Sequence, residues 1–316
     1  MGAISAALWL ACKPKARRSC LFSPLVSPLP RVVHRIVTSS PLRICLLASG
    51  SNGNACLVEA RGVRLLVDAG LGPRRLAARL SPLGLQPASI TDVLVTHAHD
   101  DHVAGLTALV DRQPELRLHA TADTARELPA PLRRHVHRVR AGRPFDLGSL
   151  SILPFSVAHD APGTLGFRVE GGAGAVGYAT DLGRFDAATV EALRGCDALV
   201  VEANHCPTML ACGPYPRHLK RRVAGPLGHL SNQQSCRLLE AIIDGRTRHV
   251  ILAHLSAVNN EPAVVRAVMA ELVAATPDVT WAIGSRSGAL EPLLLDGRRP
   301  RQRAAPATRQ LFLPFE

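Results

Sequence analysis

Short apolar runs recur from about residue 43 to residue 283, and their spacing predicts alternating strands and helices. Runs rich in Val, Ile and Leu, bounded by turn residues, predict β-strands at residues 43–48, 54–60, 63–68, 91–96, 116–119, 150–158, 164–170, 174–180, 198–202, 249–253 and 279–283. Apolar residues at helical spacing predict helices at residues 73–80, 102–112, 121–128, 186–194, 231–244 and 261–274. Hairpins mixed with strand–helix units indicate an α/β fold of layered sheets with helices outside.

The two ends of the chain lack this periodicity. Residues 1–41 begin with an apolar stretch and continue with Arg, Ser and Pro, so they are treated as a basic N-terminal extension, disordered or not native. A signal peptide, a transit peptide and translated sequence upstream of a misplaced start codon all fit this composition. We favour the last because the strand at residues 43–48 begins abruptly. Residues 297–316 form an Arg-rich tail that starts with a predicted flexible linker, which leaves residues 42–296 as the folded domain.

Charge is distributed unevenly along the chain. The formal net charge is +12, but residues 42–296 contribute only +2, because the two ends carry eleven Lys/Arg and one acid. The basic excess therefore says little about the partner of the folded domain. With 47% hydrophobic and 20% charged residues, the chain is not intrinsically disordered. No apolar run reaches the roughly 18 residues that a membrane-spanning helix needs. Eight cysteines form no Cys-x-x-Cys pair, which predicts a reduced, cytoplasmic location.

Thirteen histidines stand beside only two Trp and two Tyr, and several of them cluster. Residues 96–102 read Thr-His-Ala-His-Asp-Asp-His and directly follow an apolar strand. Alternate side chains of an extended segment point the same way, so His97 and His99 can face one metal ion. Asp101 and His102 lie where the chain turns into a helix and can bind a second ion. Because imidazole is the usual ligand of zinc-like metals, the segment predicts a metal site.

Further candidate ligands stand at the ends of later strands. His159, Asp181 and His254 each follow an apolar strand and precede a turn. Taken singly, such a residue is more often a structural cap or a surface loop residue than a ligand. Taken together with residues 96–102, the three complete two metal sites.

A His-x-His-x-Asp-His segment followed by an isolated His, an Asp and a final His resembles the metallo-beta-lactamase superfamily, over about residues 43–290. The resemblance implies an αβ/βα four-layer sandwich with a dinuclear site on one edge, and two divalent metal ions, zinc or manganese, as cofactors. The implied ligands of the first ion are His97, His99 and His159, those of the second are Asp101, His102 and His254, and the implied bridge is Asp181. Asp68 matches the superfamily's early Asp, which supports the ligand loop rather than binding metal.

Five further segments narrow the resemblance to the WalJ/YycJ group, which is associated with 5′→3′ exonuclease activity on DNA. The segments are residues 47–54, 201–205, 215–222, 228–232, and 255–256 with 259–260. The resemblance implies a metal-dependent phosphodiesterase that acts as a DNA exonuclease, and it places the loop at residues 49–54 on the rim of the active site. The N-terminal extension and the C-terminal tail depart from the group.

The implied chemistry assigns roles to three more side chains. Two metal ions would supply a hydroxide and neutralise the scissile phosphate, with Asp101 taking part in catalysis as a ligand. The leaving alkoxide needs a proton, for which His229 is the first candidate and His205 the second. A structural hydrogen-bonding role explains either histidine equally well.

Two basic stretches are candidates for contacts with phosphates. The first lies just before His229, where it suits phosphates that flank the scissile one, although such runs are also common on solvated faces. It comprises Arg217, Lys220, Arg221 and Arg222. The second is assigned to exposed surface and comprises Arg133, Arg134, Arg138, Arg140 and Arg143. Aromatic residues for stacking on bases are scarce, which argues against sequence-selective reading.

The last seven residues, 310–316, resemble the peptide by which bacterial DNA-repair enzymes dock on the replicative sliding clamp. Its anchors would be Gln310, Leu311, Leu313 and Phe315. The alternative is an edge strand that folds back on the domain. The predicted partners are therefore DNA, or RNA in its place, and a sliding clamp, with no membrane.

Other activities stay open at this point. A phosphodiesterase of cyclic or other small-molecule phosphates, or an RNA-processing nuclease, would use the same seven ligands. A thioesterase of this fold would give the basic run at residues 217–222 no purpose. A non-enzymatic DNA or clamp adaptor is disfavoured, because structural zinc sites are usually closed four-coordinate centres.

Overall fold

The computed structural model describes residues 41–286 and 288–297. Within these residues the chain forms the strands β1 (Leu42–Ala48), β2 (Ala55–Ala60), β3 (Val63–Val67), β4 (Asp92–Leu94), β5 (Arg117–Ala120), β6 (Val136–Arg138), β7 (Phe145–Leu147), β8 (Leu150–Ser156), β9 (Leu165–Gly171), β10 (Gly174–Ala179), β11 (Ala198–Glu202), β12 (His249–Ala253), β13 (Thr280–Ile283) and β14 (Leu293–Leu295). The helices are α1 (Pro73–Leu80), α2 (Asp100–Val103), α3 (Leu106–Arg112), α4 (Ala122–Glu127), α5 (Ala130–Arg133), α6 (Ala187–Leu193), α7 (Pro207–Cys212), α8 (Arg217–Val223), α9 (Asn232–Ile242) and α10 (Pro262–Ala275). Among the described residues, no helix is long and apolar enough to cross a membrane.

The strands form two seven-stranded sheets. The first has the order β14-β1-β2-β3-β4-β5-β6 and the second the order β13-β12-β11-β10-β9-β8-β7. In each sheet one half is antiparallel and the other half parallel, with β3 to β6 parallel in the first and β10 to β13 parallel in the second. The carboxyl ends of neighbouring parallel strands meet at one sheet edge, where ligands commonly bind in α/β proteins.

Three apolar clusters divide the domain into layers. One cluster combines side chains of both sheets, such as Leu46 and Val67 with Phe167 and Tyr178, and so lies between them. The second packs the outer face of the first sheet on α1 and α3, and the third packs the second sheet on α6, α9 and α10. The sequence of layers is helix, sheet, sheet, helix, and the predicted four-layer α/β sandwich is confirmed.

The predicted helix at residues 102–112 is two helices, α2 and α3, separated near Gly105. A Cβ on Gly105 would lie 2.2 Å from the carbonyl oxygen of Leu71, because the chain passes directly against the segment that follows β3. The amide of Gly105 donates to the carbonyl of Ala69 at 2.8 Å, and this contact replaces the hydrogen bond that a continuous helix would form. The break fixes α2, which carries two of the candidate ligands, against the first sheet.

Several short elements were not predicted from the sequence. They are the strands β6, β7 and β14 and the helices α5, α7 and α8. Each of these strands has only three residues, too few for a periodic pattern, and acquires its hydrogen bonds from a longer neighbour. The helix α8 carries the predicted basic run at residues 217–222 and so presents it on a regular element.

Candidate metal centre

The structure brings the seven side chains predicted as metal ligands into one cluster. The cluster contains overlapping groups of His, Asp and Glu whose ligand atoms lie within 4.8 Å of one another. These groups are His97–His99–His159, His97–His102–Asp181, Asp101–His102–His254 and Asp181–Glu202–His229–His254. The two predicted sites therefore adjoin, and Asp181 belongs to the groups on both sides.

His97, His99 and His159 form one end of the cluster. Nε2 of His97 lies 3.0 Å from Nδ1 of His99, and the His97 and His159 ring centroids are 5.0 Å apart. Nδ1 of His159 donates to the Gly228 carbonyl at 3.1 Å, which turns Nε2 toward the other two rings. That Nε2 is buried and has no hydrogen-bond partner among the described residues. A buried, unpaired nitrogen of this kind is expected where a metal ion completes the site.

Asp101, His102 and His254 form the other end. One oxygen of Asp101, Oδ2, lies 3.5 Å from Nε2 of His102 and 3.5 Å from Nε2 of His254. Between the two ends lies Asp181, whose Oδ2 is 3.3 Å from Nε2 of His102 and whose Oδ1 is 4.0 Å from Nε2 of His159. Oδ2 of Asp181 is buried and also lacks a hydrogen-bond partner among the described residues.

Three residues of the centre stand in the left-handed backbone region one or two positions after a strand. Asp68 follows β3 with φ 61°, Asp181 follows β10 with φ 60°, and His254 follows β12 with φ 57°. Asp and His adopt this region more readily than most non-glycine residues, yet it still costs about 1 kcal/mol or more at each position. The turn at each strand end aims the side chain across the sheet edge instead of along the strand.

Asp68 lies beneath the ligand loop, as the resemblance implied. Its Oδ2 accepts from Nδ1 of His102 at 2.7 Å, and its Oδ1 accepts from the Thr96 amide at 2.9 Å. The second contact explains why β4 ends at Leu94 although the apolar pattern predicted a strand to residue 96. The first leaves Nε2 of His102 as the nitrogen that faces the cluster, a common arrangement for a metal-binding histidine.

The loop at residues 49–54 forms hydrogen bonds with two of the predicted ligands, Asp101 and His254. Nδ2 of Asn54 donates to Oδ2 of Asp101 at 3.1 Å, and Oγ of Ser49 accepts from the His254 amide at 2.6 Å. Oδ1 of Asn54 accepts from the Gly50 amide at 2.8 Å, which fixes the orientation of the amide group. Ser49 and Asn54 are buried. The two side chains thus support the centre rather than project from its rim.

Glu202, the last residue of β11, is a site residue that analysis of the sequence did not single out. It is fully buried, and its Oε1 accepts from Nδ1 of His229 at 2.8 Å and from Nδ1 of His254 at 2.9 Å. Its Oε2 accepts from the amides of Leu182 and Leu230, both at 3.0 Å. Burial opposes ionisation, but the facing His229 and its hydrogen bond outweigh it and lower the pKa of Glu202. The sequence signals were a charged residue closing a wholly apolar strand and its place within residues 201–205, one of the segments that resemble the WalJ/YycJ group.

The two histidines predicted as proton donors differ in their surroundings. His229 lies beside the predicted metal ligands, with Nδ1 3.7 Å from Oδ1 of Asp181, and its side chain is 17% exposed. Burial disfavours its charged form, but Glu202 more than compensates and raises the pKa of His229. His205 is buried, has an unpaired Nδ1 among the described residues, and burial lowers its pKa to about 4. His205 is therefore neutral near pH 7 and belongs to none of the metal-ligand groups found among the described residues.

The predicted basic run lies on α8, and its members differ in what they contact. Arg222 pairs through Nε with Asp160, whose Oδ1 lies 3.3 Å from Nε2 of His159 and 3.8 Å from Nε2 of His99. Lys220 donates from Nζ to the carbonyl of Ala211 at 2.6 Å. Arg217 and Arg221 are exposed. Arg222 thus connects the helix to the edge of the metal centre.

Comparison with known proteins identifies the family. The family described as "Beta-lactamase superfamily domain" matches residues 63–255. The exodeoxyribonuclease YycJ of Bacillus anthracis is 30% identical over 238 residues, which cover 73% of this chain and 89% of that protein. The chain belongs to the metallo-beta-lactamase superfamily. The exodeoxyribonuclease WalJ of Streptococcus pneumoniae serotype 2 (strain D39 / NCTC 7466) is 31% identical over 221 residues, 68% of this chain and 82% of WalJ.

A solved structure supports the superfamily fold independently of close sequence similarity. The metallo-beta-lactamase fold protein YhfI from Bacillus subtilis matches with a TM-score of 0.59 at 17% identity, covering 81% of this chain and 99% of YhfI. Membership of the metallo-beta-lactamase superfamily implies divalent metal ions, and the donor set described above fits them: imidazole nitrogens and carboxylate oxygens, two of them buried and unpaired.

The structure does not test the predictions for the N-terminal extension and the C-terminal tail. Residues 1–40 and the clamp-peptide anchors Gln310, Leu311, Leu313 and Phe315 lie outside the described residues. They also lie outside the segment that matches the superfamily. Docking on a sliding clamp therefore stays a prediction.

Proposed function

We propose that this chain is a metal-dependent phosphodiesterase that degrades DNA as a 5′→3′ exonuclease. The observation that carries the proposal is the convergence of seven metal-type ligands beside the His229–Glu202 pair, with buried atoms of His159 and Asp181 that form no hydrogen bond among the described residues. The names of the relatives YycJ and WalJ, both exodeoxyribonucleases, support DNA as the substrate class.

Two divalent ions would be held by the seven predicted ligands, His97, His99, Asp101, His102, His159, Asp181 and His254. Bound there, the ions supply an activated water nucleophile and neutralise charge on the scissile phosphate. Zinc and manganese both suit nitrogen and carboxylate donors. No side-chain base is then required for the attack, so the remaining residues act on the leaving group and on the position of the substrate.

His229 is proposed to donate a proton to the leaving alkoxide. Because Glu202 engages Nδ1 at 2.8 Å, Nε2 is the ring nitrogen left for the substrate. The carboxylate also stabilises the charged imidazolium that must exist before the transfer. His205 is the weaker candidate, since it is buried and neutral near pH 7.

Arg222 is proposed to bind a phosphate next to the scissile one. Its pairing with Asp160 holds the guanidinium close to the end of the centre that contains His99 and His159. Arg217 and Arg221 extend the same basic surface along α8. Lys220, which is committed to a main-chain carbonyl, contributes mainly to the local fold.

End-labelled oligonucleotides test the proposal. The purified chain is loaded with manganese or with zinc and incubated with DNA that carries either a 5′-phosphate or a 5′-hydroxyl, labelled at one end or the other. A 5′→3′ exonuclease releases the 5′ label early as mononucleotides, while 3′-labelled strands shorten gradually. Parallel reactions with RNA and with cyclic dinucleotides distinguish the competing activities. Cleavage of RNA or of cyclic compounds with none of DNA would contradict the proposal, and an Asp181→Asn variant serves as the inactive control.

A further inference from the structure

A basic cleft lies where the chain crosses from the first sheet to the second. It has a volume of about 450 Å³ and opens beside the edge strands β6 and β7. Four arginines, Arg117, Arg138, Arg140 and Arg143, line it, against a single acidic lining residue, Asp146. None of the seven proposed metal ligands lines this cleft, so it is a feature separate from the metal centre.

Three of these arginines have no acidic partner among the described residues. Arg138, Arg140 and Arg143 are exposed, and none forms an ion pair with a described residue. The fourth, Arg117, pairs through Nη2 with the buried Asp92 at 2.8 Å. The cleft therefore carries an uncompensated positive charge, and the planar guanidinium groups suit phosphate oxygens in particular.

A row of aromatic rings forms the second feature of the cleft. The rings of Phe145 and His119 stack, with centroids 5.2 Å apart and planes 23° apart, and the His137 ring lies 5.5 Å from His119 at 33°. Nε2 of His119 bonds to Asp92 at 2.7 Å, which fixes the middle ring of the row. His119 is buried and His137 is exposed, so the row leads from the interior to the surface.

The strand β6, which borders the cleft, runs parallel to β4, the strand that precedes the metal centre. Leu94, His119 and His137 lie in register on the parallel strands β4, β5 and β6. Three residues beyond this level, the chain reaches His97 after β4 and Arg140 after β6. Because neighbouring strands are about 4.8 Å apart, the carboxyl ends of β4 and β6, which lead to these two residues, are separated by about 10 Å of sheet. A short stretch of an extended polymer can span this distance.

We propose that the cleft binds single-stranded DNA beyond the nucleotide that is cleaved, with phosphates on Arg138, Arg140 and Arg143 and a base against the ring row. Proteins that bind single-stranded nucleic acids combine positively charged groups, which contact the phosphates, with aromatic rings, on which the bases stack. An acidic peptide would use the charge and the strand edges but would leave the rings without a role. The inference rests on the proposed function, because that function makes the bound DNA the substrate.

Binding measurements separate this proposal from the activity. A fluorescein-labelled thymidine dodecanucleotide is titrated into metal-loaded protein with the substitution His229→Ala, so that cleavage is slow. In this background Arg138→Glu combined with Arg140→Glu is compared with Arg237→Glu, an exposed arginine on α9 that serves as control. Removal of two guanidinium–phosphate pairs is expected to weaken binding about tenfold or more. The slope of log affinity against log salt is expected to fall by about 1.4, at about 0.7 for each phosphate.

A second variant tests the rings without changing a guanidinium. His137→Ala is expected to weaken binding of the dodecanucleotide about fivefold or more while leaving the salt slope unchanged, because base stacking does not release counterions. A charge-reversed double variant that binds like the Arg237→Glu control would overturn the proposal. Displacement of the labelled strand by a polyglutamate peptide of the same length, as effectively as by unlabelled strand, would overturn it as well. If binding depends on the cleft but DNA is never cleaved, the proposed function fails and the binding site stands.

Discussion

The carboxylate of Glu202 accepts a hydrogen bond from Nδ1 of His229 at 2.8 Å, in a position where neither group reaches bulk water freely. The contact sets which nitrogen of the ring is left for a substrate. It also places a buried negative charge behind the proposed proton donor. The same Oε1 holds His254, so one carboxylate supports a proposed metal ligand and the proposed acid together.

We expect Glu202→Gln to lower kcat about 10- to 100-fold, which is the usual effect of removing a residue that orients ligands and catalytic groups. Steady-state kinetics on DNA, together with metal analysis, measure the change. The loss in a His229→Ala background should be smaller than in the wild type if Glu202 acts through His229. Equal losses in both backgrounds would place its effect on His254 and the metal instead.

Asp181→Asn should abolish hydrolysis and reduce the bound metal, because the position between the two groups of ligands would lose its carboxylate. Asparagine tolerates the left-handed backbone at this position, so the fold should be retained. Metal content by elemental analysis, circular dichroism and turnover check the three expectations. A variant with near wild-type turnover would remove Asp181 from the site.

The double variant with Arg221→Glu and Arg222→Glu should bind DNA more weakly. The slope of log affinity against log salt should fall by about 0.9 for each duplex phosphate that the variant no longer neutralises. Turnover of a small chromogenic phosphodiester is the reference measurement, and the loss on DNA should be the larger. Arg221→Glu alone is the informative comparison, since Arg222 also pairs with Asp160. Parallel losses on both substrates would mean that the metal centre itself had been disturbed.

Asp92→Asn should lower the free energy of unfolding by about 2 to 3 kcal/mol at pH 7, as one pKa unit corresponds to about 1.4 kcal/mol. Burial opposes ionisation of Asp92, but hydrogen bonds from His119 and Arg117 outweigh it and lower its pKa to about 2. A lowered carboxylate pKa stabilises the fold above the unfolded value near 4, and this contribution is lost as the pH falls toward 2. Urea unfolding of both proteins at several pH values should therefore show a difference that shrinks below pH 4. A difference that is independent of pH would indicate packing instead of charge.

The clustering of the side chains near residue 97 could be predicted because six adjacent residues after one strand contain the ligand-type groups. His159, Asp181 and His254 could be predicted because each follows a recognisable apolar strand. Glu202 could not, since its role arises only from the pairing of β11 with β12 beside it, which brings it to His254. The basic cleft combines Arg117 with arginines about twenty residues later, and the second basic stretch was assigned to plain surface because the edge strands β6 and β7 are too short to predict.

The left-handed turns at Asp68, Asp181 and His254 have a consequence for how the centre acquires its ions. Strain at a strand end is sustained by the surrounding sheet, so folding itself fixes the backbone of two proposed donors, Asp181 and His254, and of Asp68 beneath His102. Binding of the proposed ions then requires no change of backbone conformation at these three residues. The metal-free protein should accordingly keep the turns at Asp68, Asp181 and His254 in the same conformation as the metal-loaded protein.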